Sequence, residues 1–190
     1  YTRWDEPVGG WRHNVAKLAM RISGWSVGTP PPQVDKCLYL AVPHTAWSDG
    51  WWMLVYAWYW GLKISWLVKS TQPFMGLLVK HFGAVPVDRS SAHGLVEQIA
   101  LRFAENERLA VAVPPEGTRG LAGDWKSGFY HMARAANVPV CLTRLDYGVK
   151  RADFGPCFTL SGEVNEDMDR IRSYYHDATA KFPEKFTYPK

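Results

Sequence analysis

The apolar positions of this chain change period several times, and each change predicts an element. In residues 11–23, WRHNVAKLAMRIS, Val15, Leu18, Ala19 and Ile22 recur at helical spacing with Arg12, Lys17 and Arg21 off that line. That is a basic amphipathic helix, whose apolar face either packs on the core or lies on a membrane surface. GTPPPQ breaks the chain, and KCLYLAV follows as a buried strand ending at Pro43. Thereafter the pattern predicts a helix over 49–61, a strand over 63–68 and a short helix over 73–82. AVPV is a short strand that Pro86 makes an edge or irregular piece. A helix from His93 to Asn106 puts Val96, Ile99, Ala100 and Phe103 on one face. RLAVAV is a strand, 127–137 a helix, VPVCLTRLDYG a strand, and DFGPCFTL a weaker strand interrupted by Gly155 and Pro156. A last helix, from about Asn165 to Lys181, faces Met168, Ile171, Tyr175 and Ala178 inward. Strands alternating with helices predict an α/β protein with a sheet of mixed order.

Composition narrows this. At 190 residues and 47% hydrophobic content, one globular domain is expected. Within it lie an amphipathic segment (1–30), a core (37–160) and a carboxyl-terminal helix (165–182). The 10 Trp, 9 Tyr and 8 Phe suit either core filling or an apolar–aqueous boundary, where a large ring carries a polar handle. The net charge of +4 favours an anionic partner. No Lys/Arg-rich arm or RNA-binding signature is present, which sets nucleic acid aside. Cys37, Cys141 and Cys157 are scattered, so buried reduced thiols, and with them a cytoplasmic setting, are expected rather than a disulfide or metal site. No signal peptide is visible. The uninterrupted apolar run from Trp51 to Trp60 is about half the roughly 20 residues that a membrane span needs, so nothing is expected to cross a bilayer.

Three polar clusters follow apolar strands: HTAWSD, DRSS and PPEGTRG. In α/β sheets the loops at the carboxyl ends of strands converge on one rim, where ligands bind. His44, Asp49, Arg89, Glu116 and Arg119 can therefore share a site. His44 and Asp49 read as a base and its orienting carboxylate, although the same stretch also reads as a plain turn in which Ser48 or Asp49 caps a helix. There is no G-x-S-x-G elbow and no cysteine near His44, so the base would act on a substrate hydroxyl. Arg89 and Arg119 suit a phosphate, Gly117 and Thr118 offer backbone amides, and Lys126 follows closely. Alternatively Arg89 pairs with Asp88, and Arg119 with Glu116. His13, His81, His93, His131 and His176 read as structural.

These blocks together resemble the glycerolipid acyltransferase family, the 1-acylglycerol-3-phosphate acyltransferase group. HTAWSD is similar to its H-x4-D motif, GAVPVDR to its second block, PPEGTRG to its third and VPVCLT to its fourth, in order over roughly residues 37–160. Departures fall at Pro86 and Val87 in the second block and at Cys141, Leu142 and Thr143 in the fourth. The resemblance implies the family's single α/β domain, a mostly parallel mixed sheet flanked by helices. It also implies acyl transfer from acyl-CoA or acyl-carrier protein to a hydroxyl of a lysophospholipid, with no cofactor, no metal and no covalent acyl-enzyme. His44 would be the base and Asp49 its partner, with Arg89, Glu116, Gly117 and Arg119 holding the acceptor head group. Such an enzyme works at the inner face of the cell membrane. Three other readings stay open: a non-phosphorylated lipid or glycolipid acceptor, a non-catalytic lipid-surface module, and a thioester hydrolase.

Overall fold

A computed structural model describes residues 9–69, 83–87, 92–121 and 124–187. Among these, strands β1 (Ser26–Val27), β2 (Lys36–Val42), β3 (Ile64–Lys69), β4 (Ala84–Val87), β5 (Leu109–Val113), β6 (Val140–Asp146) and β7 (Arg151–Phe158) form one sheet. Their order is β1-β7-β6-β2-β5-β3-β4. Every pair is parallel except β6 with β7. The mixed, mostly parallel sheet follows from the alternation, because each parallel return needs a crossover. β2 and β5 sit centrally and are buried on both faces, which is why they read as continuous apolar runs. β4, with Pro86, is an edge strand as expected.

The helices are α1 (Trp11–Ser23), α2 (Trp47–Trp60), α3 (Ala92–Glu105), α4 (Gly128–Ala136) and α5 (Val164–Tyr175). On one side of the sheet, Ile99 and Phe103 of α3, Phe129 and Met132 of α4, and Met168, Ile171 and Tyr175 of α5 cover Leu38, Leu40 and Leu142. On the other side, Ala57 of α2 and Leu62 pack with Tyr39, Ala110 and Phe154 of the sheet. The expected helix over 73–82 lies outside the described residues.

Two expectations are corrected. Cys141 and Cys157 are not free thiols but form a disulfide. β7 turns back antiparallel on β6 and sets the two residues directly opposite each other, which their sequence spacing does not reveal. Cysteine usage therefore no longer argues for a reducing compartment. Cys37 stays a buried thiol, its pKa pushed up to about 12 by desolvation. Secondly, α5 ends at Tyr175, and the chain then runs irregularly to a 3₁₀ turn at Pro183–Lys185. Tyr147 donates its backbone N–H to Thr179 O at 2.9 Å, which draws this segment away from a helical path. Of the two roles left open for the aromatic residues, Trp52 and Tyr56 take core filling; they pack with Trp25, whose ring stacks on Trp52 at 4.5 Å.

α1 buries the side opposite to its apolar line. Ala16 and Met20 pack toward Trp52, Val55 and Tyr56, and His13 Nδ1 lies 2.7 Å from Tyr59 O on α2. Trp11 (65% exposed), Val15, Leu18 (58%) and Ile22 (77%) point away from the protein. Of the expected face only Ala19 is partly covered. No described helix is long and apolar enough to cross a membrane.

Candidate active site

β2, β5 and β6 run parallel, so their carboxyl ends emerge on one rim. The registers Leu40↔Val113 and Val42↔Arg144 bring the segments after β5 and β6 alongside the segment after β2. His44 and Glu116, 72 residues apart, meet there because of this register. The His44 backbone N–H donates to Glu116 Oε1 at 3.0 Å and Oε2 at 3.2 Å. Glu116 is only 1% exposed. Burial, with a smaller contribution from the Asp49 charge, raises its pKa to about 7 against the opposing effect of the His44 N–H bond.

Asp49 occupies the first turn of α2 and folds back over the loop. Its Oδ2 accepts the backbone N–H groups of Thr45 and Ala46, both at 2.7 Å. Its Oδ1 accepts the Tyr147 hydroxyl at 2.6 Å. The helix cap and the base's partner are thus one residue: the reach that satisfies the start of α2 also sets Oδ2 3.9 Å from His44 Nδ1. That separation is electrostatic contact rather than a hydrogen bond, as is common before substrate binds. Burial lowers the His44 pKa; Asp49 opposes the shift, and Arg119 adds to it. The imidazole is therefore held neutral, the form that accepts a proton.

Arg119 does not pair with Glu116. Its guanidinium stacks over the Trp47 ring with Cζ 3.6 Å from the centroid. Gly117 adopts φ +67°, the left-handed region that favours glycine, and a Cβ there would sit 2.9 Å from Lys126 Cδ. The Gly117 N–H is already donated to Pro114 O at 3.1 Å, closing a turn, so it is not a spare anion donor as the sequence suggested. Thr118 Oγ1 accepts the Gly120 N–H at 3.2 Å. Lys126 donates its backbone N–H to Pro115 O and lays its stem against Gly117. Arg89, with the rest of DRSS, lies outside the described residues. Among the described residues, no cluster of three His, Cys, Asp or Glu side chains is placed to hold a metal ion.

Two participants, Tyr147 and Lys181, were not anticipated. Tyr147 follows β6 as His44 follows β2, and the strand-end rule that drew attention to His44 also applies to it. Ser48 Oγ lies 2.9 Å from the Tyr147 hydroxyl and accepts Lys181 Nζ at 3.2 Å. A hydrogen-bonded line thus runs from Lys181 through Ser48 and Tyr147 to Asp49. A recess of about 350 Å³ opens beside it, between loop 45–48, Arg119 and residues 181–185.

A mostly parallel α/β sheet thus carries a histidine and a buried aspartate, five residues apart, at the end of its central strand. The chain belongs to the acyltransferase family, whose model matches residues 32–142. No curated protein sequence matches it significantly. Among solved structures it is similar to the 1-acyl-sn-glycerophosphate (LPA) acyltransferase PlsC from Thermotoga maritima. That match has a TM-score of 0.59 and 13% identity over 86% of this chain and 75% of that one. At that identity the likeness concerns the fold.

Proposed function

We propose that the protein transfers a fatty acyl group from an acyl-CoA or acyl-carrier-protein thioester to a hydroxyl of a lysophospholipid, most simply 1-acylglycerol-3-phosphate. The carrying observation is His44, held by its backbone on Glu116 and faced at Nδ1 by buried Asp49, beside a recess bearing Arg119. Nε2 of the neutral imidazole takes the acceptor's hydroxyl proton as the oxygen attacks the thioester carbonyl. The C–S bond then breaks, and the imidazolium returns its proton to the departing thiolate. Asp49 steadies the imidazolium. Glu116 acts by fixing the His44 backbone, and Arg119 binds the acceptor phosphate. Arg89, Thr118 and Lys126 complete the proposed acceptor site, and Gly117 shapes the turn that leads into Thr118. The donor thioester is the only co-substrate.

The test is consumption of acyl-CoA with lysophosphatidate, with a neutral monoacylglycerol and with no acceptor. Acyl transfer that requires the phosphorylated acceptor is expected. Faster use of the neutral lipid would shift the reading to a non-phosphorylated acceptor, free acid without acceptor to a hydrolase, and no consumption to a non-catalytic module. Arg119→Ala should raise the Michaelis constant for lysophosphatidate about 10–100-fold, as loss of a charge-assisted bond worth about 1.5–3 kcal/mol does. The donor constant should change much less; equal rises in both would contradict the head-group role.

Membrane attachment at the inner face is part of this proposal. It is supported by the outward line of Trp11, Val15, Leu18 and Ile22, which Lys17 and Arg21 flank. Apolar side chains on that line enter the lipid boundary while the lysines and arginines meet anionic headgroups, each contributing about 1 kcal/mol. Exposed Trp51, on the neighbouring helix, extends the surface. Co-sedimentation with anionic vesicles should fall as salt rises. It should also fall when Leu18 and Ile22 become glutamate, since both are exposed and the fold tolerates the change. Indifference of the wild type to such vesicles at low salt would remove the membrane from the proposal.

A further inference from the structure

The recess beside the base is bounded on its far side by a segment that no motif block includes. Buried Ala178 and Ala180 anchor that segment before Lys181, and buried Phe186 anchors it after Lys185. The Phe182 N–H reaches Thr45 Oγ1 at 3.4 Å, tying the segment to the loop that carries His44. The 3₁₀ turn donates the Lys185 N–H to Phe182 O at 2.9 Å and brings the Lys185 ammonium over the Phe182 ring at 4.4 Å. Lys181 also approaches that ring, its Nζ 5.7 Å from the centroid and hydrogen-bonded to Ser48 Oγ. Arg119 faces the recess from its stack on Trp47. Three cations thus line about 350 Å³, and among the described residues none of them is paired with a carboxylate. Like charges gathered without counter-ions repel one another, and a bound anion relieves that repulsion.

We infer that this recess is a phosphate-binding subsite in which Lys181 and Lys185 extend the reach of Arg119 to a phosphate group of a substrate. It rests on the acyltransferase reading for the identity of the substrates. A phosphate there comes either from the acceptor head group or from the phosphopantetheine–nucleotide part of the donor. The inference itself concerns binding of the phosphate and requires no turnover.

The experiment is calorimetric titration of the wild-type protein with free coenzyme A, with pantetheine, which lacks phosphates, and with glycerol 3-phosphate. It is repeated on Lys181→Gln, Lys185→Gln, the double variant and the double arginine variant. Coenzyme A binding that pantetheine does not reproduce marks the donor as the source; glycerol 3-phosphate binding marks the acceptor. For the ligand that binds, each glutamine should raise Kd about tenfold, the scale of one charge-assisted contact. The arginines should restore affinity, and added salt should weaken binding. Lys185→Gln leaves the Ser48 bond intact, so its effect reports charge rather than a disturbed catalytic loop. Wild-type protein that binds neither phosphate ligand, or a double glutamine variant with unchanged Kd for both, overturns the inference. Lysine-dependent phosphate binding by a protein that transfers no acyl group would uphold it while removing the acyltransferase reading.

Discussion

His44→Ala is expected to lower acyl transfer by about 10²–10⁴-fold, the usual contribution of a positioned general base. An alcohol is a poor nucleophile until its proton leaves, and among the described residues no other carboxylate or imidazole at the rim is free to take that proton. Asp49 is occupied by two backbone N–H groups and the Tyr147 hydroxyl, and Glu116 by the His44 backbone. Glu116 grips His44 through its main chain, so the alanine keeps that bond and the thermal transition should move little. The wild-type pH profile carries a second readout. Burial, aided by Arg119 and opposed by Asp49, places the His44 pKa below its ordinary 6.5. The neutral base therefore persists below that pH, and the acid limb of kcat/KM should lie on the acid side of 6.5. The linked stability has the same sign: it is present above the unfolded pKa and is lost as pH falls through the folded one. A variant with near wild-type turnover would remove His44 from the mechanism.

Asp49→Asn should cost up to about 10⁴-fold in kcat, by analogy with the aspartate of a serine-hydrolase triad. The carboxylate does two jobs, and the amide separates them. Its oxygen can still accept the Thr45 and Ala46 N–H groups, which keeps the start of α2. Its NH₂ must then meet Tyr147, whose proton turns toward Ser48 Oγ at 2.9 Å. That rearrangement costs stability on the scale of about 1–3 kcal/mol for a mispaired buried polar group. The charge that steadies the imidazolium is gone, and with it the preference for the productive tautomer. Turnover should fall while the Michaelis constants stay close to wild type. Near-normal kcat with only a lowered melting temperature would reduce Asp49 to a helix cap.

The elements around β2, β5 and α2 were legible because local pattern and tertiary fate agree there. KCLYLAV and LAVAV are buried on both faces of the sheet, so their apolar runs have no alternation to misread. α1 was legible as a helix, but its packing was not. Its apolar line suits a protein core and a lipid boundary equally well, and only α2's position showed that Ala16 and Met20 take the inner side. The aromatic segment divided for a similar reason. Trp51 and Trp52 are neighbours in sequence, yet about 100° of helical turn sends one outward and stacks the other on Trp25.

From the sequence alone came the α/β class, the place of β4 at an edge, and the pairing of His44 with Asp49. Each of these rests on short-range pattern: the period of apolar residues, a proline in a strand, or a spacing of five along one loop. The tertiary structure decided what depends on register. Glu116 turns to the His44 backbone, Tyr147 reaches Asp49, Cys157 faces Cys141, and Lys181 and Lys185 close a recess whose opposite wall is Arg119. These contacts join residues 16 to 98 positions apart. Such distances are set by which strands lie side by side and by how far each is slid along its neighbour. That slide is chosen by the packing of the whole core, and no local stretch of sequence encodes it.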